Sequence, residues 1–557
     1  MLNPEMQRVV LLVALAATAY LLILAWNNDY VRQTPTPTAA TEPSLGTPTQ
    51  PSAAPDESLD LPVGSAAGPV KTEAPAESAA ESGSRLIRVS TGSLDVWIDL
   101  LGGDIVRVEL PRYPVSVDRP NDPYLLMDRR PGHVYIAESG LVVDGTAQRP
   151  LYTAARTRYD LPKGGSVVLT SQQDGVAIQK VLKFTANEYV VDVSFRVDNG
   201  TQEPLEINLR TLLQRDSNEI EGAPHHAMGP RPYLGAALTT DEERYYKLKF
   251  SELDKGPFDE TVDGGWIAIL QHYFISAWIS DPKEKNHYFG RHGKDGTYLV
   301  GYVGPAQRVE PRSMATLSTR FYAGPKDQDR LAAIAPNLNL TVDYGFLWWL
   351  ADPLFHLLEW LHGLVKNWGL SIILLTMMVK LVLFPLSAAS YKSMANMRRV
   401  APQMKRLQER YSDDRQKLSQ EMMAFYKKEK INPLGGCLPM VLQMPVFLAL
   451  YWVLFESVEL RQAPFLFWIR DLSVMDPLFV LPILMGGSMF LTQTLNPPPP
   501  DPTQARVMKF MPVIFTVMFL FFPAGLVLYW LVNNLLSLAQ QWFITRQIEG
   551  GAKPTGG

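Results

Sequence analysis

The chain reads as a multi-domain membrane protein, with a helical bundle at its C-terminal end and a large all-β domain ahead of it. Three observations carry this. Apolar runs long enough to cross a bilayer cluster in the last third of the 557 residues, whereas residues 85–340 show a hydrophobic period of two. A lysine, Lys380, also stands inside the apolar run 368–386, where a charge is costly to desolvate and marks a protein-lined polar path.

Six runs qualify as spans: residues 9–26, 368–386, 434–455, 477–495, 508–522 and 524–543. The first reads as an uncleaved signal anchor (residues 1–28), since no small-residue cleavage site follows Trp26. The last two, separated by Pro523-Ala524-Gly525, read as a tight helical hairpin within a five-span core at 367–546. The net charge of −4 decides little; the placement of Lys and Arg decides orientation. Residues 387–431 carry eleven Lys/Arg against five Asp/Glu, and residues 456–476 only Arg461 and Arg470. This puts 387–431, 496–507 and both termini in the cytoplasm, and the β domain on the far side. Cys437 is the one cysteine, so an intrachain disulfide is excluded.

Residues 29–84 form a tether. From Gln33 to Ser84 there are nine prolines and no aromatic residue, too little apolar area to offset ordering entropy. At 85–340 the pattern changes. Leu94, Val96, Ile98 and Leu100 alternate with Asp95, Trp97 and Asp99, and Val191, Val193, Phe195 and Val197 alternate with polar residues before Asn199-Gly200, which predicts a large β-sandwich. His225, His226 and His272 make a carbohydrate site conceivable, but no metal-ligand spacing, nucleophile elbow or carboxylate pair accompanies them. Residues 341–366 combine Trp348, Trp349 and Trp360 with Asp352, His356, Glu359 and His362 at helical spacing, which predicts an amphipathic helix in the outer membrane interface.

The loop 387–431 predicts a basic helical hairpin. Pro402 suits the first turn of a helix containing Met404, Leu407 and Tyr411, and Ser412-Asp413-Asp414 supplies a break and an N-cap for a helix with Leu418, Met422 and Phe425 on one face. Arg398, Arg399, Lys405 and Arg406 give its charge. Positive-inside bias explains that charge without a partner; the methionines favour a docking surface.

Lys380 lies twelve residues from Trp368, ~18 Å into a ~30 Å hydrocarbon layer. Thr376 is one turn earlier on the same face, and Gln443, Asn533, Asn534, Ser537 and Gln540 are polar residues elsewhere in the bundle able to join it. Snorkelling to the headgroups is the competing reading. The central spans hold no acidic residue to neutralise the lysine, so the amides predict a hydrated surface instead of an ion pair.

The strings NPLGGCLPMVLQMPVFLALYWVLFESVELRQAPFLFWIRDLS at 432–473 and FMPVIFTVMFLFFPAGLVLYWLVNNLLSLAQQ at 510–541 resemble the YidC/Oxa/Alb family of membrane protein insertases, and the tether and β domain resemble its Gram-negative YidC type. The resemblance implies a five-helix core around a hydrophilic groove open to cytoplasm and lipid, and a periplasmic supersandwich like that of sugar mutarotases. It implies an inner-membrane insertase and chaperone, acting alone or beside the SecYEG translocon and SecDF. Clients would be nascent membrane proteins, and ribosome and signal-recognition contacts would fall on the cytoplasmic hairpin. The groove cation falls on Lys380, where arginine is usual; lysine keeps the charge but loses the bidentate fork. Thr376 matches a groove residue, and Tyr529-Trp530 a site of client contact where tyrosine is commoner than Trp530. The tail 547–557 is short and weakly basic, so ribosome tethering through it is not implied. The alternatives are a solute transporter or channel using Lys380 as an anion site, without the internal repeat such proteins often show, and a membrane-anchored carbohydrate enzyme. No motif implies a cofactor, a metal or enzymatic catalysis.

Overall fold

The computed structural model describes residues 85–218, 232–411, 414–429, 438–495 and 502–551. The anchor, the tether, His225 and His226 lie outside the described residues.

Among the described residues, two sheets, of 12 and 9 strands, form the β domain. Strand Val190–Asn199 behaves as its alternation predicts. Val191, Val193, Phe195 and Val197 are buried, while Arg196 and Asp198 are exposed. Strand Asp95–Asp99 differs, because its acidic face is covered too: Asp95 pairs with Arg88 at 2.5 Å and Asp99 with Arg85 at 2.6 Å. Between the sheets, buried Lys180 donates to the carbonyls of Gly102, Gly103 and Ser139 at 3.1, 2.7 and 2.7 Å. This satisfies the hydrogen-bonding demand of a buried ammonium and ties the two layers together.

Among the described residues, the α-helices beyond the β domain are α1 (Trp348–Val365), α2 (Trp368–Val382), α3 (Phe384–Arg410), α4 (Arg415–Lys428), α5 (Leu438–Glu456), α6 (Val480–Leu495), α7 (Pro502–Phe519) and α8 (Ala524–Gly551). In α1, Leu354, Phe355, Leu358 and Leu361 are buried, and Trp348, Trp349 and Trp360 stay exposed. It packs on α2 and α5. A Cβ on Gly486 of α6 would overlap the Thr516 hydroxyl of α7, the close helix approach that a small residue permits.

Two expectations about the core need correction. The run 368–386 is not one straight span, because α2 and the start of α3 meet at a 65° bend. Pro385, at the first turn of α3, lacks an amide hydrogen and restricts the residue before it, which interrupts the helical ladder there. Pro402 does not begin a helix; it lies inside α3, which runs unbroken from Phe384 to Arg410. The second hairpin helix starts as predicted, with the Asp414 carboxylate accepting from the Lys417 amide at 3.0 Å. Among the described residues no single helix is both long and apolar enough to cross a membrane, although Trp368–Val382 and Phe384–Ser393 together are.

The β domain docks onto the end of α5. Lys326 and Glu456 form a buried ion pair at 2.8 Å, and His272 Nε2 lies 2.9 Å from the Phe455 carbonyl with its ring against Phe455. Just beyond, Val458 joins the β-domain core, and Arg461 and Gln462 donate to the Pro114 carbonyl at 2.6 and 2.8 Å. His272 is therefore a junction residue.

Candidate functional site

Lys380 occupies the last turn of α2, immediately before the bend, and only 5% of it is exposed. Its ammonium donates to Gln443 Oε1 of α5 at 3.1 Å and to Ser537 Oγ of α8 at 2.7 Å. The Gln443 amide donates onward to Asn533 Oδ1, and Ser537 donates to the Asn533 carbonyl at 2.7 Å. Three helices far apart in sequence thus converge on one cation through neutral acceptors. Among the described residues no carboxylate pairs with it. A buried charge held only by amide and hydroxyl dipoles keeps its field, whereas an ion pair would cancel it.

Thr376 is buried one turn above Lys380, and its hydroxyl bonds to the Ile372 carbonyl of its own helix at 2.6 Å. It shapes the wall and does not touch the lysine network. Asn534 points away from Lys380, donating to Ser488 Oγ of α6 at 3.2 Å. The cluster therefore joins Lys380, Gln443, Asn533 and Ser537, with Thr376 and Asn534 at its margins. Two residues went unread in the sequence. Buried Tyr391 of α3 faces Ser537, although it lies in the segment 387–431 that the sequence places beyond the apolar core. Ser488 was hidden among the small residues of α6.

Family models match both halves of the chain, the YidC periplasmic domain over residues 86–357 and the 60Kd inner membrane protein over residues 360–551. A curated relative from Stutzerimonas stutzeri, named membrane protein insertase YidC, is 51% identical over 99% of this chain and 100% of its own length. The chain belongs to the YidC membrane protein insertase family. A relative of the same name from Azotobacter vinelandii is 49% identical over 99% of this chain and 100% of its own length. A crystal structure of an active YidC insertase with the first transmembrane domain resolved covers 82% of this chain and 92% of that one, at 18% identity and a TM-score of 0.39. The β domain thus corresponds to the family's periplasmic domain, and the polar cluster lies in the part matched to an inner-membrane protein.

In this YidC-family chain the aromatic pair at 529–530 is split between two environments. Tyr529 is 1% exposed, within the helical core. Trp530 is half-buried, edge-on to Phe447 at 4.5 Å and beside Phe515 and Phe519. The pair is an interhelical packing element here, with only Trp530 keeping an exposed part.

The α3–α4 hairpin closes over Val400, Met404 and Met422, which are buried against Leu407, Leu418 and Phe425. Arg399 and Arg406 are exposed, and Tyr411 lies under the Lys417 ammonium at 5.6 Å; the side chains of Arg398 and Lys405 are outside the described ones. Met423 is 57% exposed, so the methionine face is only partly used in closing the hairpin.

Proposed function

We propose that this protein inserts segments of other membrane proteins into the inner membrane and assists their folding, with the Lys380 cluster as the polar surface that receives them. The observation that carries this is that, among the described residues, Lys380 is held by the neutral acceptors Gln443 and Ser537. An ammonium has three donors; two are engaged, which leaves one for an acidic or polar client segment. A segment that meets a fixed cation and amides partway into the apolar layer has less hydrocarbon left to cross. No covalent bond need be made or broken, so the activity is not enzymatic.

In this reading the five helices α2, α5, α6, α7 and α8 cross the membrane, with the bend between α2 and α3 at the cytoplasmic mouth of the groove. The hairpin, the C-terminus and the N-terminus face the cytoplasm, in accord with the basic excess of 387–431, and α1 lies in the periplasmic interface. The exposed arginines and Met423 of the hairpin offer a surface for ribosome or signal-recognition components. SecYEG and SecDF are the membrane partners the family resemblance favours. Trp530, beside Gln443-bearing α5, is the site where a client helix slides past.

Site-specific crosslinking tests this. Photoreactive residues at Lys380, Gln443 and Trp530 should capture a ribosome-stalled nascent membrane protein, and one at Trp278, buried in the β domain, should not. A client caught only from the β domain would defeat the assignment.

A further inference from the structure

The segment between α5 and α6 is a braced loop whose most exposed residues are apolar. Its brace is Asp476, 1% exposed. One carboxylate oxygen accepts from Trp468 Nε1 at 2.8 Å and the Leu478 amide at 3.0 Å, and the other from the Leu481 amide at 2.7 Å. A single buried acid thereby holds both the 465–469 turn and the entry to α6. The turn is closed by Phe465 donating to the Ile469 carbonyl at 3.0 Å. It is fastened to the start of α2, where the Asn367 side chain donates to the Phe465 carbonyl at 3.1 Å and the Phe465 ring covers Gly369.

This bracing presents two phenylalanines outward. Phe467 (φ 57°) and Phe479 (φ 56°) are both in the left-handed region, which an aromatic residue adopts only when its surroundings impose it. Phe467 is 90% exposed, and Leu466, Leu478 and Phe479 are 46%, 58% and 44% exposed. Scattered exposed apolar residues are ordinary, but these are held in place at a backbone cost. They also lead directly into the outward face of α6, where Ile483, Leu484, Phe490 and Leu491 are each more than half exposed.

We infer that this loop is a lipid anchor, with Phe467 and Phe479 inserted at the headgroup–acyl boundary of the leaflet on the β-domain side. The occupant is lipid because the apolar face is continuous with that of α6, and because the turn is tied to the first residues of α2, at the level of Trp368. Trp468, with its indole hydrogen-bonded to Asp476, has the two-sided character of interfacial residues, and exposed Arg470 lies 3.7 Å from Asp118 of the β domain. The anchor sets the depth of α2, and with it the depth of Lys380. This inference rests on α2 and α6 crossing the membrane.

Depth measurement separates the two. In a Cys437→Ser background, an environment-sensitive fluorophore is attached through Phe467→Cys, Phe479→Cys, Leu484→Cys or, on an exposed β-domain site, Lys163→Cys. The full-length protein is reconstituted in phosphatidylethanolamine–phosphatidylglycerol vesicles, and unchanged melting verifies the fold. The 467 and 479 probes should be blue-shifted relative to 163, quenched most by lipid spin-labelled near the headgroup and shielded from aqueous iodide; the 484 probe should be quenched most by lipid labelled deeper in the chain. If 467 and 479 behave like 163 while 484 is deep, the anchor is refuted and the topology stands. If 484 is also in water, the topology fails and the anchor with it.

Discussion

Lys380 Nζ and Ser537 Oγ, 157 residues apart in sequence, meet at 2.7 Å. The serine simultaneously donates to the Asn533 carbonyl of its own helix, so its lone pair is turned toward the ammonium. The lysine is thus held by α8 as firmly as by the amide of α5.

Replacing Lys380 by arginine keeps a cation able to reach both acceptors, and insertion should survive. Lys380→Ala removes two charge-assisted hydrogen bonds, each worth about 1.5–3 kcal/mol, and should slow insertion several-fold for clients with acidic exported segments; Lys380→Glu should slow it further. Growth and client insertion in a depletion strain measure this. Wild-type insertion by Lys380→Glu would remove electrostatics from the mechanism.

Lys326 and Glu456 are 4% and 8% exposed. Lys326→Ala leaves a buried carboxylate without its main counter-charge and should destabilise the junction by about 3–5 kcal/mol, whereas Lys326→Met with Glu456→Met should recover most of that loss. Thermal melts of the purified variants give the comparison. Because α5 carries Glu456 at one end and Gln443 nearer the other, the single variant should also raise the accessibility of a cysteine at position 443.

The Glu459 carboxyl is pushed up to about 8, chiefly by burial, against a lowering by its backbone hydrogen bond and with weaker raising by Asp327, Glu359 and Asp329. A carboxyl whose value is raised on folding contributes stability that is fully present below its ordinary 4.5 and is lost as pH rises through about 8. The protein should therefore melt at progressively lower temperature as pH rises from 4.5 to about 8, and Glu459→Gln should flatten this part of the profile. A slope unchanged in the variant would assign the titration to another group.

Gly369 lies under the Phe465 ring. Gly369→Val overfills that contact and should cost about 1–3 kcal/mol, and adding Phe465→Ala should relieve part of it. Melting temperatures of the three variants decide this. If the second change brings no relief, the turn is not seated on α2 as described.

Much of the polar cluster was legible because polar residues are few in apolar helices. Lys380, Gln443, Asn533 and Ser537 could be picked out one by one, and the Asp414 cap and the 191–197 alternation followed from local rules. Asn534 and Thr376 could not be separated from that group, because which side of a helix faces its neighbour depends on packing. Tyr391 was missed because a proline was given the wrong role. Pro402 sits inside a helix that Pro385 begins, and local preference alone does not distinguish a helix start from a tolerated interior proline. Nothing in the sequence around His272 shows that its ring meets Phe455, the contact that makes it part of the domain junction.

By itself the sequence determined the division into a β domain and an apolar helical core, the charge asymmetry around that core, and the presence of one cation where a cation is costly. These follow from hydrophobic period, composition and charge placement, which act over a few residues. Tertiary structure alone decided that Lys380 is shared by Gln443 and Ser537, and that Lys326 of the β domain buries Glu456 at the far end of α5. Such relationships join residues tens to more than a hundred positions apart, and their energy exists only once the intervening chain has packed.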